Sequence, residues 1–490
     1  MKKNTFSRLM VVGIISLMPL SGICSLYRPS YIQMMPLVHD SIPNEIGRSG
    51  DARISYLINN RKWFDLNREL SNISPASVTP GLYLMAKSVV SHYFNRSDIA
   101  CSSIYELLTQ YQSEIGYDNS INMTVILAMN FAREKQYETA ATQMRILIDQ
   151  LEQYGKDSLT IANYRKMEER FKAFAKKGNV CHALHKPGRY RIPFTYFNDM
   201  HEAVGREGHA IIINGNICGK KANMVFDTGA GINIISSRDA KKFGIQAIHF
   251  IFLIIIHTLR IFLLQVGKQT GHLAWADNIR IGNMSWQNVP FFIVDMKTGD
   301  SKTDSAGTML PPVIGLPIMQ SMGEIQFDFV KHELIVPAKP TPNPIGYSNV
   351  MLGDEGNLVI EGKDYEGTAM YLAFDTGSYF SDLSPHWYFL HREYVEKHGT
   401  LDSITVAGIG GINRRKSYIL PKFTYTLGKG TAVLDSVRVD TGIDLHSNDS
   451  IKVNYGDSGK KDGFAGLNLL ERYKRVIFSL KDMYINGYVK

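Results

Sequence analysis

The sequence predicts an all-α segment followed by two copies of one all-β domain. Three observations carry this. A short stretch occurs twice, as Met224-Val225-Phe226-Asp227-Thr228-Gly229-Ala230 and as Leu372-Ala373-Phe374-Asp375-Thr376-Gly377-Ser378. The apolar and turn signals around the two copies recur in the same order. Before residue 178 the texture differs, with apolar residues three and four apart, as a helix that buries one face requires.

Taken in order, the chain opens with Met1-Lys2-Lys3 and Arg8, then an apolar stretch from Leu9 to Leu20, then Ser21, Gly22, Cys24 and Ser25. A basic start, a short apolar middle and a small-residue end describe a secretory signal peptide over residues 1–24. The stretch is too short to span a membrane comfortably. Cys24 offers lipid anchoring as the competing reading, although Ile23 is bulkier than such a site usually takes. Secretion or residence in a bacterial periplasm is the expectation.

Residues 50–177 read as a helical module. Leu82, Met85, Ala86, Val89, Val90 and Tyr93 share one face, as do Met123, Ile126, Leu127 and Phe131. Helices are also expected over Ile99 to Tyr111 and Tyr137 to Tyr154, with Pro80-Gly81, Gly116 and Gly155 as breaks. Asn95–Ala100 has a loose echo in Lys135–Ala140, a spacing of about forty residues that resembles a tetratricopeptide-type array of helical hairpins. Two uses are open for it: docking a partner or substrate on a concave face, or packing as a structural block. Residues 178–201, with Pro187, Gly188 and Pro193, read as a linker, and the four prolines within Pro337 to Pro344 as a stiff connector.

Composition narrows the function. The chain has 490 residues and a net charge of +8, with Lys and Arg scattered and no aromatic-basic platform, so nucleic acid is not indicated. Cys101, Cys181 and Cys218 remain after the leader and have no metal-ligand spacing. Cys181 and Cys218 could pair in an oxidising compartment or stay as buried thiols.

The two β domains are expected at 189–337 and 345–490. Each has an apolar run, a Gly turn and a second run before its Asp: Ala210–Ile213, Asn214–Asn216 and Ala222–Phe226, then Asn357–Ile360, Glu361–Lys363 and Met370–Phe374. Downstream, Asn278–Asn283 leads to Val289–Asp295, and Phe423–Lys429 leads to Val433–Asp440. Val313-Ile314-Gly315-Leu316 and Phe464-Ala465-Gly466-Leu467 close the series, each before a short helix and a last strand. Asp227 and Asp375 are 148 residues apart, Gly282 and Gly428 146, and Gly315 and Gly466 151. A repeat this regular marks a duplicated domain.

Two Asp-Thr-Gly loops suit a known chemistry. Carboxyls about 3 Å apart cannot both ionise cheaply, so they share a proton; the charged one then takes a proton from water while the neutral one polarises a carbonyl. On these residues the sequence resembles the aspartic peptidases, with a retropepsin-like lobe used twice in one chain. The resemblance covers about Arg189 to Lys490. It implies an aspartic endopeptidase with Asp227 and Asp375 as the dyad, Thr228 and Thr376 locking the two loops, and Gly229 and Gly377 shaping them. It also implies a Gly-rich flap over the peptide, read here at Gly408, Ile409, Gly410 and Gly411. No metal or organic cofactor is required, and the partner is a peptide or protein substrate. Proteins of this build most resemble secreted proteins of Gram-negative bacteria. The alternative is a catalytically weak, protease-like scaffold that binds peptides or partners through the helical module, and a third reading is an enzyme that cleaves only its own linker near Pro187.

One stretch does not fit. Where the first lobe should carry its flap, Ile248 to Leu264 is apolar and lacks Gly. A membrane segment, an inserted helix or hairpin that docks elsewhere, and a locally altered reading frame all account for it. Each leaves the first flap in doubt.

Overall fold

The computed structural model describes residues 47–153, 158–197, 208–256, 264–265, 267–295, 311–353, 356–408, 411–445 and 461–489, with backbone alone at 158–159, 249–256, 264–265, 267–270, 405–408, 411–413 and Asp444. The leader region and Cys24 lie outside the described residues. The N-terminal part is helical: α1 Asp51–Asn59, α2 Trp63–Asn72, α3 Pro80–Tyr93, α4 Ser97–Gln110, α5 Gln112–Ile115, α6 Tyr117–Arg133, α7 Tyr137–Gln153 and α8 Ser158–Lys177. Pro80 opens α3 at the position where a missing N–H costs nothing. The long helices pack as successive antiparallel neighbours, with Ala140, Met144, Leu147 and Ile148 of α7 fully or almost fully buried.

The remainder is β-rich. The first half holds β1 His182–Ala183, β2 Tyr190–Phe197, β3 Ala210–Ile217, β4 Lys220–Phe226, β5 Ile234–Ile235, β6 Ala247–Ile256, β7 Leu264–Gln265, β8 Gly267–Ile281, β9 Met284–Ile293 and β10 Val313–Ile314. Helix α9 (Ser237–Phe243) follows β5, and α10 (Leu316–Met322) follows β10 and leads to β11 Glu324–Asp328 and β12 Glu333–Val336. The second half holds β13 Val350–Leu352, β14 Leu358–Lys363, β15 Ala369–Phe374, β16 Asp382–Leu383, β17 Thr400–Gly408, β18 Gly411–Leu427, β19 Gly430–Asp444 and β20 Gly463–Ala465. Helices α11 (Pro385–Leu390) and α12 (Arg392–His398) follow β16, and α13 (Leu467–Leu470) follows β20 and leads to β21 Tyr473–Ser479 and β22 Tyr484–Val489.

The two halves share one strand order. In the first it runs β3-β4-β10-β5-β9-β8-β6, and in the second β14-β15-β20-β16-β19-β18-β17. Local chemistry repeats with it. Ser236 caps α9 and Ser384 caps α11, each accepting a backbone N–H three residues on. Gly282 and Gly428 take positive φ at the β8–β9 and β18–β19 turns. The halves then join through a shared sheet, β11 pairing with β21 in the register Glu324↔Ser479 to Asp328↔Arg475.

Two expectations need correction, and one left open is decided. Residues 178–201 are not a plain linker, because they contain β1 and β2. Pro193 stands where β2 passes from pairing with β12 to pairing with β3, the point at which its missing N–H matters least. The apolar stretch does not dock elsewhere as a helix: 247–256 is a strand antiparallel to β8, which suits its β-branched and aromatic residues. That hairpin occupies in the first half the place that β17–β18 takes in the second. Residues 257–263 lie outside the described residues, and no helix among the described residues is long and apolar enough to cross a membrane. Of the two states open for Cys181 and Cys218 the structure has the free thiols, Cys181 buried and Cys218 half-buried. Cys218 sits with Gly219 at positive φ in the two-residue β3–β4 turn, and the Cys181 thiol donates to the Pro317 carbonyl at 3.2 Å.

The helical part is not a separate body. One apolar core runs from Ile54 and Phe94 through Ile213 and Phe226 to Phe374 and Phe478. Phe64 of α2 stacks on Tyr371 of β15 at 5.5 Å, and the Arg68 guanidinium donates to both oxygens of Glu361 on β14 at 2.7 and 3.0 Å. At its other end, Phe174 of α8 meets Trp275 of β8 edge-on at 5.1 Å, and Lys177 reaches Asp277 at 3.0 Å. The helices therefore brace both halves at once. The connector 337–344 is held too, since Thr341 donates twice to the Glu324 carboxylate and its carbonyl accepts from the Tyr484 hydroxyl.

His92 makes this brace acid-sensitive. It is fully buried on α3, and its Nδ1 accepts from the Asn130 side chain of α6 at 2.9 Å. Burial, reinforced by Arg133, holds the imidazole well below its ordinary range. It stays neutral when folded but charges in the unfolded chain below about pH 6.5, so stability is lost as pH falls through that value. Amide protection factors in α3 and α6, taken relative to the intrinsic rate at each pH, should fall from about pH 6.5 downward, and His92→Gln should flatten that dependence. An unchanged pH dependence in the variant would remove His92 as the cause.

Candidate active site

Each Asp-Thr-Gly loop begins where a buried strand ends. Phe226 and Phe374 are fully buried, and the strands that carry them are each flanked in parallel by β10 or β20. The Asp227 N–H donates to the Ile314 carbonyl at 3.0 Å and the Asp375 N–H to the Ala465 carbonyl at 3.1 Å. Both loops are thus hung on the apolar-apolar-Gly segments that the sequence singled out. A side chain at Gly315 would come within 2.3 Å of the Ala230 carbonyl, and one at Gly466 within 2.6 Å of the Phe380 carbonyl, so backbone approaches backbone there.

The structure brings six of the sequence-predicted residues together. The Thr228 hydroxyl donates to the Phe374 carbonyl at 3.1 Å and accepts the Thr376 N–H at 3.0 Å. The Thr376 hydroxyl donates to the Phe226 carbonyl at 2.8 Å and accepts the Thr228 N–H at 3.0 Å. These four bonds join the two halves reciprocally. Gly229 and Gly377 each donate a backbone N–H to their own aspartate, at 2.8 and 3.0 Å. They also pack against the opposite one: a Cβ on Gly229 would lie 2.6 Å from Asp375 Oδ1, and one on Gly377 would lie 2.3 Å from the Asp227 carboxyl carbon.

The electrostatics follow from burial. Asp227 and Asp375 are both fully buried. Burial first, and then the charge of Asp375 and a hydrogen bond shared with it, hold the Asp227 carboxyl well above the usual carboxylate range, against the pull of the Gly229 and Ala230 N–H groups. Two such groups can keep one proton between them near neutral pH.

Of the flap residues, Gly408 and Gly411 are paired at the end of the β17–β18 hairpin, while Ile409 and Gly410 lie outside the described residues. Leu264 and Gln265 of β7 pair in parallel with Ala407 and Gly408, so the two hairpin ends meet.

Sequence reasoning missed three positioning residues. The Gly315 N–H donates to the Asn233 side chain at 2.9 Å, and the Gly466 N–H to the Ser381 hydroxyl at 2.9 Å. Ser381 in turn donates twice to Asn468 Oδ1. Asn233 and Ser381 share the 148-residue offset of the aspartates, a signal that was available but carries no chemistry until the fold shows what each touches.

Residues 213–318, which contain the first of these loops and its apolar-apolar-Gly segment, match the aspartyl protease family model. No curated protein matches the chain.

The packing of the loops yields a sharp test. Gly377→Ala must push the second loop off Asp227, and a misplacement near 1 Å costs a rate on the order of 10²-fold. Any catalysis by this pair should fall by about that factor, and the displaced loop should cost about 1–3 kcal/mol of stability; a variant as stable and as active as the parent would show that the contact does not position the carboxyls.

Proposed function

We propose that this chain is an aspartic endopeptidase with two retropepsin-like lobes, 189–337 and 345–490, and a catalytic water held between Asp227 and Asp375. The observation that carries the reading is the reciprocal meeting of the two loops: Thr228 and Thr376 exchange two hydrogen bonds, each hydroxyl donates to the Phe carbonyl of the opposite strand, and each Gly packs on the opposite loop's aspartate. Two loops joined in this way hold two buried carboxyls face to face, the arrangement that lets one be neutral while the other is charged.

The pair shares one proton; in the proposed cycle Asp227 holds it and Asp375 acts as the base. Asp375 takes a proton from water as its oxygen attacks the scissile carbonyl carbon, and Asp227 gives its proton to the carbonyl oxygen. The tetrahedral diol then collapses as the C–N bond breaks. The proton on Asp375 passes to the leaving amine, and a diol proton returns to Asp227. All groups come from the chain and from water.

The β17–β18 hairpin closes over the peptide, and the β6–β8 hairpin supplies the matching wall from the first lobe. The helical module, read as tetratricopeptide-like hairpins, serves as a brace across both lobes, which its contacts with Tyr371, Glu361 and Trp275 support. Export rests on residues 1–24 alone, with Cys24 as the point of any lipid anchor.

The test is cleavage of a diverse peptide pool from pH 3 to 8, with and without pepstatin, a hydroxyl-bearing mimic of the diol. A bell-shaped profile on the acid side of neutral and full inhibition are expected. No cleavage by folded protein at any pH would overturn the reading and leave a peptide-binding scaffold in its place.

A further inference from the structure

The two halves approach each other beside both Asp-Thr-Gly loops, and by different means. Gly231 and Tyr379 are 148 residues apart, the offset of the aspartates, and each lies four residues beyond its Asp. Gly231 meets the second half through backbone: a Cβ there would lie 2.4 Å from the carbonyl oxygen of Gly356, just before β14. Tyr379 meets the first half at His209, just before β3, with ring centroids 4.5 Å apart. The two contacts are equivalent in place. One is made by glycines, so the fold by itself does not require side chains at the other.

On the Tyr379 side those side chains form a set. The His209 ring also meets that of Tyr196 on β2, at 4.1 Å. His209 Nε2 lies 2.6 Å from Glu471 Oε1, as short as a charge-assisted hydrogen bond. Glu471 accepts from the Tyr196 hydroxyl as well. Burial, and then the Glu471 charge, hold that hydroxyl above its ordinary range, so it stays a donor. Tyr196 and His209 belong to the first half, and Tyr379 and Glu471 to the second. The His209 and Glu471 side chains are both partly exposed, and such a pair contributes little to stability. Its use lies in placement.

Glu471 is tied to the loop that it helps to hold. The Leu467 N–H of α13 donates to the Ser378 carbonyl at 2.9 Å and the Asn468 N–H to the Tyr379 carbonyl at 2.8 Å. The Glu471 N–H donates to the Leu467 carbonyl at 2.8 Å, which fixes the residue to the end of the same helix. The Ser378 N–H in turn donates to the Asp375 carbonyl at 3.3 Å. A chain of contacts therefore runs from β2 and β3, through one imidazole and one carboxylate, to the turn that carries Asp375.

We propose that His209 is a positioning residue: with Glu471 it latches the Asp375 loop to the first lobe and so sets where that carboxyl stands against Asp227. The proposal rests on the endopeptidase reading and adds to it a side-chain control of the dyad. A misplacement near 1 Å costs a rate on the order of 10²-fold, and the loss falls on kcat because the dyad acts on the reacting bond.

The experiment compares His209→Ala, Glu471→Leu and the double variant with the wild type in peptide cleavage and in amide exchange at one pH. Each single variant should lower kcat by about 10- to 100-fold with KM little changed. The double variant should lose no more than the worse single one, because the two residues act as a unit. Amide protection should fall over 376–381 and stay unchanged in β3, which separates a loosened loop from a frayed strand. An unchanged kcat, a loss confined to KM, or single losses that multiply in the double variant would each overturn the latch. If the wild type cleaves nothing, the endopeptidase reading fails separately and amide exchange decides the latch. Lower protection over 376–381 in both single variants then sustains it, and unchanged protection overturns it.

Discussion

Asp375→Asn should reduce peptide cleavage by a factor on the order of 10²–10⁴ or more, because it removes the base and the shared proton together. The protein should remain folded. At neutral pH it should melt higher than the wild type, since two fully buried carboxyls are replaced by one. The sign is set by Asp227, whose carboxyl is held well above the usual range by burial and by its neighbour's charge. A carboxyl of this kind burdens the fold above its folded-state pKa and not below its unfolded one, near pH 3.9. The thermal gain should therefore be present at pH 7–8 and vanish as pH falls below about 4. Differential scanning calorimetry across pH, run beside the cleavage assay, measures both. Lost cleavage with no thermal gain at any pH would mean that the two carboxyls do not burden each other, contrary to the mechanism.

Thr228→Val should destabilise the junction of the two halves by about 2–5 kcal/mol. The shapes are nearly equal, so packing is kept. What is lost is the hydroxyl that donates to Phe374 and accepts from Thr376, which leaves a buried carbonyl and a buried N–H without partners. Thr228→Ser retains both bonds and should cost less than about 1 kcal/mol. Denaturant titration of the three proteins separates the hydroxyl from the methyl. A loss in Ser as large as that in Val would show that the methyl matters there as much as the hydroxyl.

Much of this was legible beforehand. The twin Phe-Asp-Thr-Gly stretches and their near-constant offsets correspond to strand ends and turns in the same places of two sheets of one order, because each of those signals is local. The helices before residue 178 were legible through their periodicity. What was not legible depends on distant chain. Tyr190–Phe197 is a strand because β12 and β3 offer it edges, and Pro193 hid this. Ala247–Ile256 is apolar in a way that suits a helix, a span or a strand equally, until β8 lies beside it. Phe64 and Arg68 read as an ordinary helix face, and only Tyr371 and Glu361 give them partners. At the site, nothing in the sequence announces that Gly377 packs on Asp227 or that Ser381 holds Gly466.

The sheet that joins the lobes also dictates an order of assembly. Its pairings link Ile192 with Leu334 and Phe327 with Val476, contacts that close very long loops, whereas the helices α3 to α8 meet their neighbours within a few tens of residues. Long closures are slow and local ones fast. The helices, first in the chain, are formed while the later strands are still unpaired, and their exposed Phe64 and Phe174 then offer each lobe a surface on which to condense. Refolding should show helical signal well before the slow phase in which the lobes join, and a chain lacking 51–177 should recover that phase more slowly and aggregate more, through the unpaired edges it leaves waiting.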